Sequence, residues 1–345
     1  MAQQVSLGRY FSYLVALVVS LVLFSIALLA LGYDPIASLV GLVSGSFGTV
    51  FRTTQTLFLV GPLLLAALAF LVPFRARFYN IGVEGQLYIG ALFGYIVAAQ
   101  MGGVPGIVAI PLVLIAAMVG GTVWIALPLF MRIKLQVNEI FPTLVMNFIA
   151  VDIVNWVTAG PLKDPLTGNL QTAPLPQSTW LPSIINNTEL NLGFVIALAA
   201  AFVVFFVLFR TVLGFEIRAS GASPRAAKNG GVDVTRSILA VGLMSGALAG
   251  LAGMIVVTGL NHVLAQNFSP GYGYQGIAVA ALGTFNPLGS VVASTLYAAL
   301  SVGGDSLQRS AAAVPIQLTY ALQALIVLSV LIVQKWLKDR EERRR

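Results

Sequence analysis

Residues 11–31 read FSYLVALVVSLVLFSIALLAL, a run of 21 residues without a charged side chain. As a helix, such a run is about 30 Å long, the thickness of a bilayer's hydrocarbon core. It is longer than the roughly 7–15 apolar residues of a cleaved signal peptide, so it reads as an uncleaved membrane anchor. Uncharged apolar runs recur near 55–73, 81–101, 105–130, 138–160, 191–210, 237–259 and 312–334. The stretch 275–303 is also apolar but breaks at Gly283-Thr-Phe-Asn-Pro-Leu-Gly289, which predicts two short helices or a re-entrant hairpin. The expectation is an all-α polytopic membrane protein with about eight full spans plus that broken hairpin, or eight to ten in all.

Composition agrees with that reading. Charged residues make up 9% of the 345, against about 25% in ordinary soluble domains, and 58% are hydrophobic. A soluble enzyme, a secreted disulfide scaffold and a disordered chain are excluded. Cysteine is absent, which removes disulfides, iron–sulfur clusters and thiolate nucleophiles. His262 is the single histidine, so a multi-histidine metal site is excluded too.

The net charge of +7 reports topology. With the N-terminus in the cytoplasm, Arg9, Arg75, Arg77, Arg132, Lys134, Arg210, Arg218, Arg225, Lys228, Arg236 and six residues of the 335–345 tail all fall inside. That makes 16 of the 19 basic residues, and only Arg52, Lys163 and Arg309 fall outside. The positive-inside rule therefore predicts that both termini are cytoplasmic. It also removes nucleic acid as the reason for the basic pI. The whole chain, 1–345, reads as one membrane-embedded domain with two sizeable loops. The outer loop, 161–190, is proline-rich and expected to be stiff and extended. The inner loop, 211–236, is basic.

Within the inner loop, Ser223-Pro224 is a helix-start signal and Gly230-Gly231 a helix-stop signal. They predict a short helix over Pro224–Asn229 outside the bilayer. A solvated loop would satisfy the charge rule without such order, so the segment reads as a docking element for a cytoplasmic partner. Arg218, Ser223, Pro224, Arg225, Ala226, Ala227 and Lys228 are its candidate contact residues.

Polar residues inside the spans are the second signal, because each needs a partner in lipid. Glu84 lies between glycines at a helix start, with Asn80 and Gln86 close by. This pattern fits either a broken helix lining an enclosed cavity or a cytoplasmic cap. Asn147, Asp152 and Asn155 follow in the 138–160 run; they are candidates for a translocation path, with interhelical hydrogen bonding as the alternative. Gly242, Gly246 and Gly250 repeat every four residues and predict a flat face for close helix packing. No lysine follows a glycine, so a nucleotide-binding P-loop is absent. Gly271-Tyr-Gly-Tyr-Gln-Gly276 matches a dinucleotide pattern but follows no strand, and reads as a tyrosine-rich interfacial turn.

Four motifs in order now carry a resemblance: Asn-Ile-Gly-Val-Glu-Gly-Gln (80–86), Val-Asn-Glu-Ile with Thr-Leu-Val-Met-Asn (137–147), Arg-Ala-Ser-Gly-Ala-Ser-Pro-Arg-Ala-Ala (218–227) and Gly-Ile-Ala-Val-Ala-Ala-Leu-Gly with Asn-Pro-Leu-Gly (276–289). Together they resemble the permease subunits of ABC importers in the ribose/branched-chain amino acid superfamily, over residues 55–335. The nucleoside and simple-sugar branch is the nearest likeness, in particular the longer of its two paralogous permeases. Phe141-Pro142, Asp152 and Gly283-Thr-Phe-Asn depart from the pattern. The resemblance implies a nucleoside path shared with a second permease subunit. It also implies a cytoplasmic ATP-binding subunit on 214–234 and an extracytoplasmic substrate-binding lipoprotein. ATP and magnesium would be used by the partner, and this chain would bind no cofactor and catalyse nothing. A monosaccharide such as ribose, or a branched-chain amino acid, is the alternative cargo. An ion-gradient-driven transporter with Glu84 and Asp152 as coupling carboxylates is the rival of another class.

Overall fold

The structure is a computed structural model that describes residues 2–310 and 314–342; for residues 2–14, 338 and 340–342 only the backbone is described. Arg343, Arg344 and Arg345, part of the expected basic tail, lie outside the described residues. Thirteen α-helices are described: α1 (Ala2–Ala30), α2 (Pro35–Phe47), α3 (Val50–Phe74), α4 (Val83–Ala98), α5 (Gly106–Leu135), α6 (Ile140–Ala159), α7 (Leu192–Arg210), α8 (Val212–Ala222), α9 (Pro224–Asn229), α10 (Val234–Val256), α11 (Tyr272–Leu282), α12 (Pro287–Gln308) and α13 (Ile316–Glu342). A π-helical turn, Val257–Asn261, extends α10. The all-α expectation holds: among the described residues the only β pairings are isolated bridges.

Seven helices are long and apolar enough to cross a membrane, and the bent pair α1–α2 makes an eighth candidate. This is the lower end of the expected range. α4 is only 16 residues and α11 only 11, about 24 and 16 Å long at 1.5 Å per residue, so each is shorter than the hydrocarbon core. Of the two halves of the 275–303 stretch, α11 is short as expected, whereas α12 is a full-length span. The helix α2 was not foreseen, although its start is visible in the sequence. Pro35 occupies its first turn, and the Asp34 carboxylate accepts from the Ile36 and Ala37 backbone N–H groups at 2.8 and 3.1 Å. At the other end of the chain, α13 runs to Glu342, so much of the expected tail is helical.

Contacts group into two units, the first comprising residues up to Thr56 and from Thr295, the second Leu57–Ser294. In the first, α1 packs on α13, with Ser20 Oγ donating to the Leu325 carbonyl at 3.3 Å. α2 lies on α12 through Gly45 and Gly303, and Ser46 Oγ donates to the Ala299 carbonyl at 2.5 Å.

In the second unit, α4, α5 and α10 pack mutually and tightly. Glycine is the reason. A side chain at Gly250 would strike the Ala117 carbonyl, one at Gly90 the backbone of Gly250, one at Gly246 the backbone of Gly121, and one at Gly242 the Leu129 side chain. Three backbones thus approach closely enough for dispersion and polar contacts to replace the hydrophobic drive that lipid removes. The apolar residues of α3 from Leu63 to Val72 are buried, and Phe78, Ile125 and Leu129 close the core with Ile238. In their most apolar windows α3 is 83% and α10 72% buried, against 28% for each of α5, α6 and α7. The first two are therefore central and the others peripheral.

Loop contacts in this unit sort onto two ends. One end joins the 74–79 segment to Glu139, Ala222 and Phe285: Tyr79 N–H donates to the Glu139 carboxylate at 3.0 Å, Arg77 to the Ala222 carbonyl at 3.3 Å, and the Phe74 and Phe285 rings stack at 4.0 Å. At the other end the 161–190 loop is tied down by long-range bonds. Thr172 N–H donates to the Leu264 carbonyl at 3.0 Å, Leu175 N–H to the His262 carbonyl at 2.8 Å, and Tyr95 Oη to the Ala173 carbonyl at 3.0 Å. The loop is mostly irregular, as its prolines predict, with one 3-10 turn at Gln177–Thr179.

Candidate functional site

At the first of those ends, two short helices cover the 74–79 segment. Thr211 Oγ1 starts α8 by accepting from Gly214 N–H at 3.1 Å. Ser223 then ends α8 and starts α9, its hydroxyl accepting from Ala226 N–H at 3.4 Å with Pro224 next in line. Gly230 closes α9, and Gly231 takes φ +84°, a left-handed conformation that suits glycine. The bounds of α9 are those read from its caps. α8 was not foreseen, since Thr211 is a weaker start signal than Ser-Pro.

Only Ala227 of α9 is buried; Ser223, Pro224, Arg225, Ala226 and Lys228 are exposed. One small side chain anchors the helix, and a surface of two cations and an alanine faces outward. Arg218 on α8 is half-buried, its guanidinium 5.4 Å from the centre of the Phe209 ring, and Arg75 sits over the same ring at 5.8 Å. Burial, then the Arg218 charge beside it, pushes the Arg75 guanidinium below its ordinary pKa.

The second assembly is internal. Asn80 and Gln86 exchange two hydrogen bonds at 3.1 and 3.0 Å, and Asn80 Nδ2 also donates to Ser245 Oγ on α10 at 2.7 Å. Asn80 Oδ1 accepts from Gly82 N–H at 2.9 Å. Asn147, on α6, accepts from Gly85 N–H at 2.8 Å and donates to the Ile81 carbonyl at 2.9 Å and Tyr274 Oη at 3.1 Å. The first turn of α4 therefore starts in the protein interior, its free N–H groups met by side chains from other elements. Glu84 is 4% exposed and accepts from Gly273 N–H at 2.6 Å. Its carboxyl group thus lies at the first turns of both α4 and α11, the positive ends of the two helix dipoles. The segment from Gly271 is corrected here. Gly273 and Gly276 are packed against the backbones of Glu84 and Ala66, and Tyr272 is buried, so this is an interior helix start and not an interfacial turn.

The remaining candidates lie apart from that cluster. Asp152 is exposed on α6. Asn155 is half-buried and is bonded to Asn267 through both its amide nitrogen and its oxygen, each at 3.1 Å. Sequence reasoning missed Ser245, Tyr274 and Gly273 as members of the polar cluster. It also missed a stack of Trp180 on His262 at the other end, with rings 3.8 Å apart; burial holds the His262 imidazole below its ordinary pKa.

The sequence pattern of the branched-chain amino acid transport system permease component matches residues 52–331. The chain belongs to this permease family. It is 34% identical over 314 residues to a glucose ABC transporter permease of Haloferax volcanii, covering 88% of this chain and 82% of that one. A guanosine ABC transporter permease of Bacillus subtilis is 32% identical over 320 residues, 92% of this chain and 91% of its own. A nucleoside ABC transporter permease of Lactococcus lactis is 30% identical over 328 residues, 92% and 90%. This permease is thus a multi-pass membrane protein. The family match covers every element of both assemblies described above.

Proposed function

We propose that this permease is the membrane subunit of an ATP-driven importer for nucleosides, with α9 as the helix that couples it to the ATP-binding subunit. The single observation that carries the reading is α9 itself: a capped, two-turn helix anchored by Ala227, presenting Arg225, Ala226 and Lys228 on the basic end of the second unit. A coupling element must be short and rigid to pass on a movement of a few Å, and small enough to seat in a cleft. Orientation follows from the basic residues, which put α9 and both termini in the cytoplasm. The setting is a bacterial or archaeal plasma membrane.

Cargo is proposed from two relatives named for guanosine and nucleosides. The glucose permease favours a second reading, in which the cargo is a monosaccharide. The exposed face of α6 supports a second permease subunit across the path. Asp152 lies near the middle of that helix, and a carboxylate facing lipid there is costly. Facing an aqueous path or a partner resolves that cost. Along the path, Tyr274 is 40% exposed and is held by Asn147, so this pair is proposed to meet the cargo, with Asn80, Glu84 and Gln86 as its support. An extracytoplasmic lipoprotein would deliver the cargo, and ATP and magnesium would be used in the partner.

Replacing Ala226 with Trp tests the coupling role. The bulky ring should block seating without touching the embedded helices. Co-purification with the ATP-binding subunit and receptor-stimulated ATP turnover in liposomes should both fall at least tenfold, roughly what the loss of one well-packed contact gives. Wild-type values for both would reduce α9 to a solvated turn. Uptake of labelled guanosine, with unlabelled glucose as competitor, separates the two cargo readings.

A further inference from the structure

Beside α9 lies a cavity of about 330 Å³ whose charged lining is Arg75, Arg77 and Arg218. Phe74 and Tyr79 form its aromatic side, and Gly221 closes the wall, its backbone against the Arg75 carbonyl where any larger residue would clash. Among the described residues Arg132 pairs with Glu139 and Arg309 with Asp305, and no carboxylate there answers these three guanidinium groups. Glu216 is two residues from Arg218 on α8, a spacing that puts the two on different sides of the helix. The hydrogen bonds they do make are to carbonyls, Arg75 to Phe285 and Arg77 to Ala222. Arg75 Nε and Arg218 Nη1 are buried with no acceptor at all. Three like charges gathered around one cavity, with donors left over, constitute a site that lacks its anion.

The chemistry of the lining narrows the anion. Planar guanidinium forks match phosphate oxygens two at a time. The cavity opens at the end of the membrane-spanning helix α3, and Tyr79, 39% exposed, supplies an amphipathic ring of the type found at headgroup level. Basic pockets between membrane helices on the cytoplasmic side take acidic lipid headgroups.

We propose that this cavity is a phosphate-binding site, with Arg75 and Arg218 as its floor and Arg77 as its rim, occupied by the headgroup of an acidic phospholipid. The lipid would bridge the end of α3 to α8, and through Ala222 to the start of α9, so the docking surface would depend on the surrounding membrane. The proposal requires only that this end of the unit borders the bilayer, not that the cargo is a nucleoside. Lipid binding and transport can therefore fail separately.

The test is native mass spectrometry of the full-length chain in non-ionic detergent, with phosphatidylglycerol or phosphate-free diacylglycerol added. Wild type should retain phosphatidylglycerol, and the double variant Arg75→Gln/Arg218→Gln should retain it about tenfold less, the loss of a charge-assisted contact. Arg236→Gln, an exposed arginine outside the cavity, should retain it like wild type. Displacement of the lipid by excess inorganic phosphate would support the site with free phosphate as the occupant. Equal retention by wild type and the double variant overturns the proposal. In a parallel co-purification, loss of the ATP-binding subunit by the double variant with lipid retention unchanged overturns it too, because it gives the arginines to a protein contact. If the double variant does not fold, Arg77→Gln on the exposed rim decides. It should lower retention about threefold, and unchanged retention overturns the site.

Discussion

At Asn147 one carboxamide makes three hydrogen bonds, to Gly85 N–H, the Ile81 carbonyl and Tyr274 Oη. Leucine would fill the space but leave the Gly85 N–H, in the interior start of α4, without an acceptor. An unmet buried donor costs about 1–3 kcal/mol, whereas a hydrogen bond between membrane helices averages about 0.6 kcal/mol. Asn147→Leu should therefore destabilise the chain by about 2 kcal/mol without preventing assembly. Thermal unfolding followed by fluorescence should show the shift. Guanosine uptake should fall as well, because Tyr274 loses the group that positions it. A variant with wild-type thermal stability would mean that water takes over the Gly85 donor. The sequence singled out Asn147 as a polar residue at depth, but its partners lie 62 to 127 residues away, and no local pattern encodes such pairings.

Among the elements, α4, α5 and α10 depend on glycine more than on any side chain. A Cβ at Gly250 would meet the Ala117 carbonyl and the Gly121 backbone, so the clash of any side chain there is with main chain that cannot rotate away. Gly250→Val should prise α10 from α5, at a cost of about 3 kcal/mol or more, above the usual range for overpacking because no rotamer relieves it. Gly102→Ala, where nothing lies within 4 Å, should be neutral. Fluorescence-detected size exclusion of the two variants makes the comparison, and a monodisperse peak of normal height for Gly250→Val would refute the packing account. The four-residue spacing of Gly242, Gly246 and Gly250 announced a packing face. It did not say that two partner helices would meet it, with Gly121 and Gly90 on the facing sides.

For the whole molecule, the absence of cysteine makes topology directly measurable. Asn169 and Ala226 are both exposed, one in the 161–190 loop and one on α9. Single cysteines at these positions should react with an impermeant maleimide from opposite sides of intact cells and inverted vesicles, residue 169 from outside and 226 from inside. Labelling of both from one side would overturn the orientation and with it the coupling role of α9. The segregation of loop contacts onto two ends of the second unit requires opposite labelling whichever way the chain is inserted.

Whatever depends on solvation and on neighbours three or four residues apart is legible in the amino-acid order alone. Charge-free runs of bilayer length make a membrane protein, because lipid offers no partner to backbone polar groups and only helices satisfy their own. Ser223-Pro224 and Gly230-Gly231 mark α9 because caps act within one turn. The Asp34-Pro35 start of α2 was equally local, but the 120° bend behind it was not. Long-range packing is what starts α4 in the interior and brings Glu84 to the N–H of Gly273, 189 residues on. It alone brought Arg75, Arg77 and Arg218 around one cavity. Those arrangements arise from how helices distant in the chain approach one another, and each buried polar group takes whichever partner that packing brings within reach.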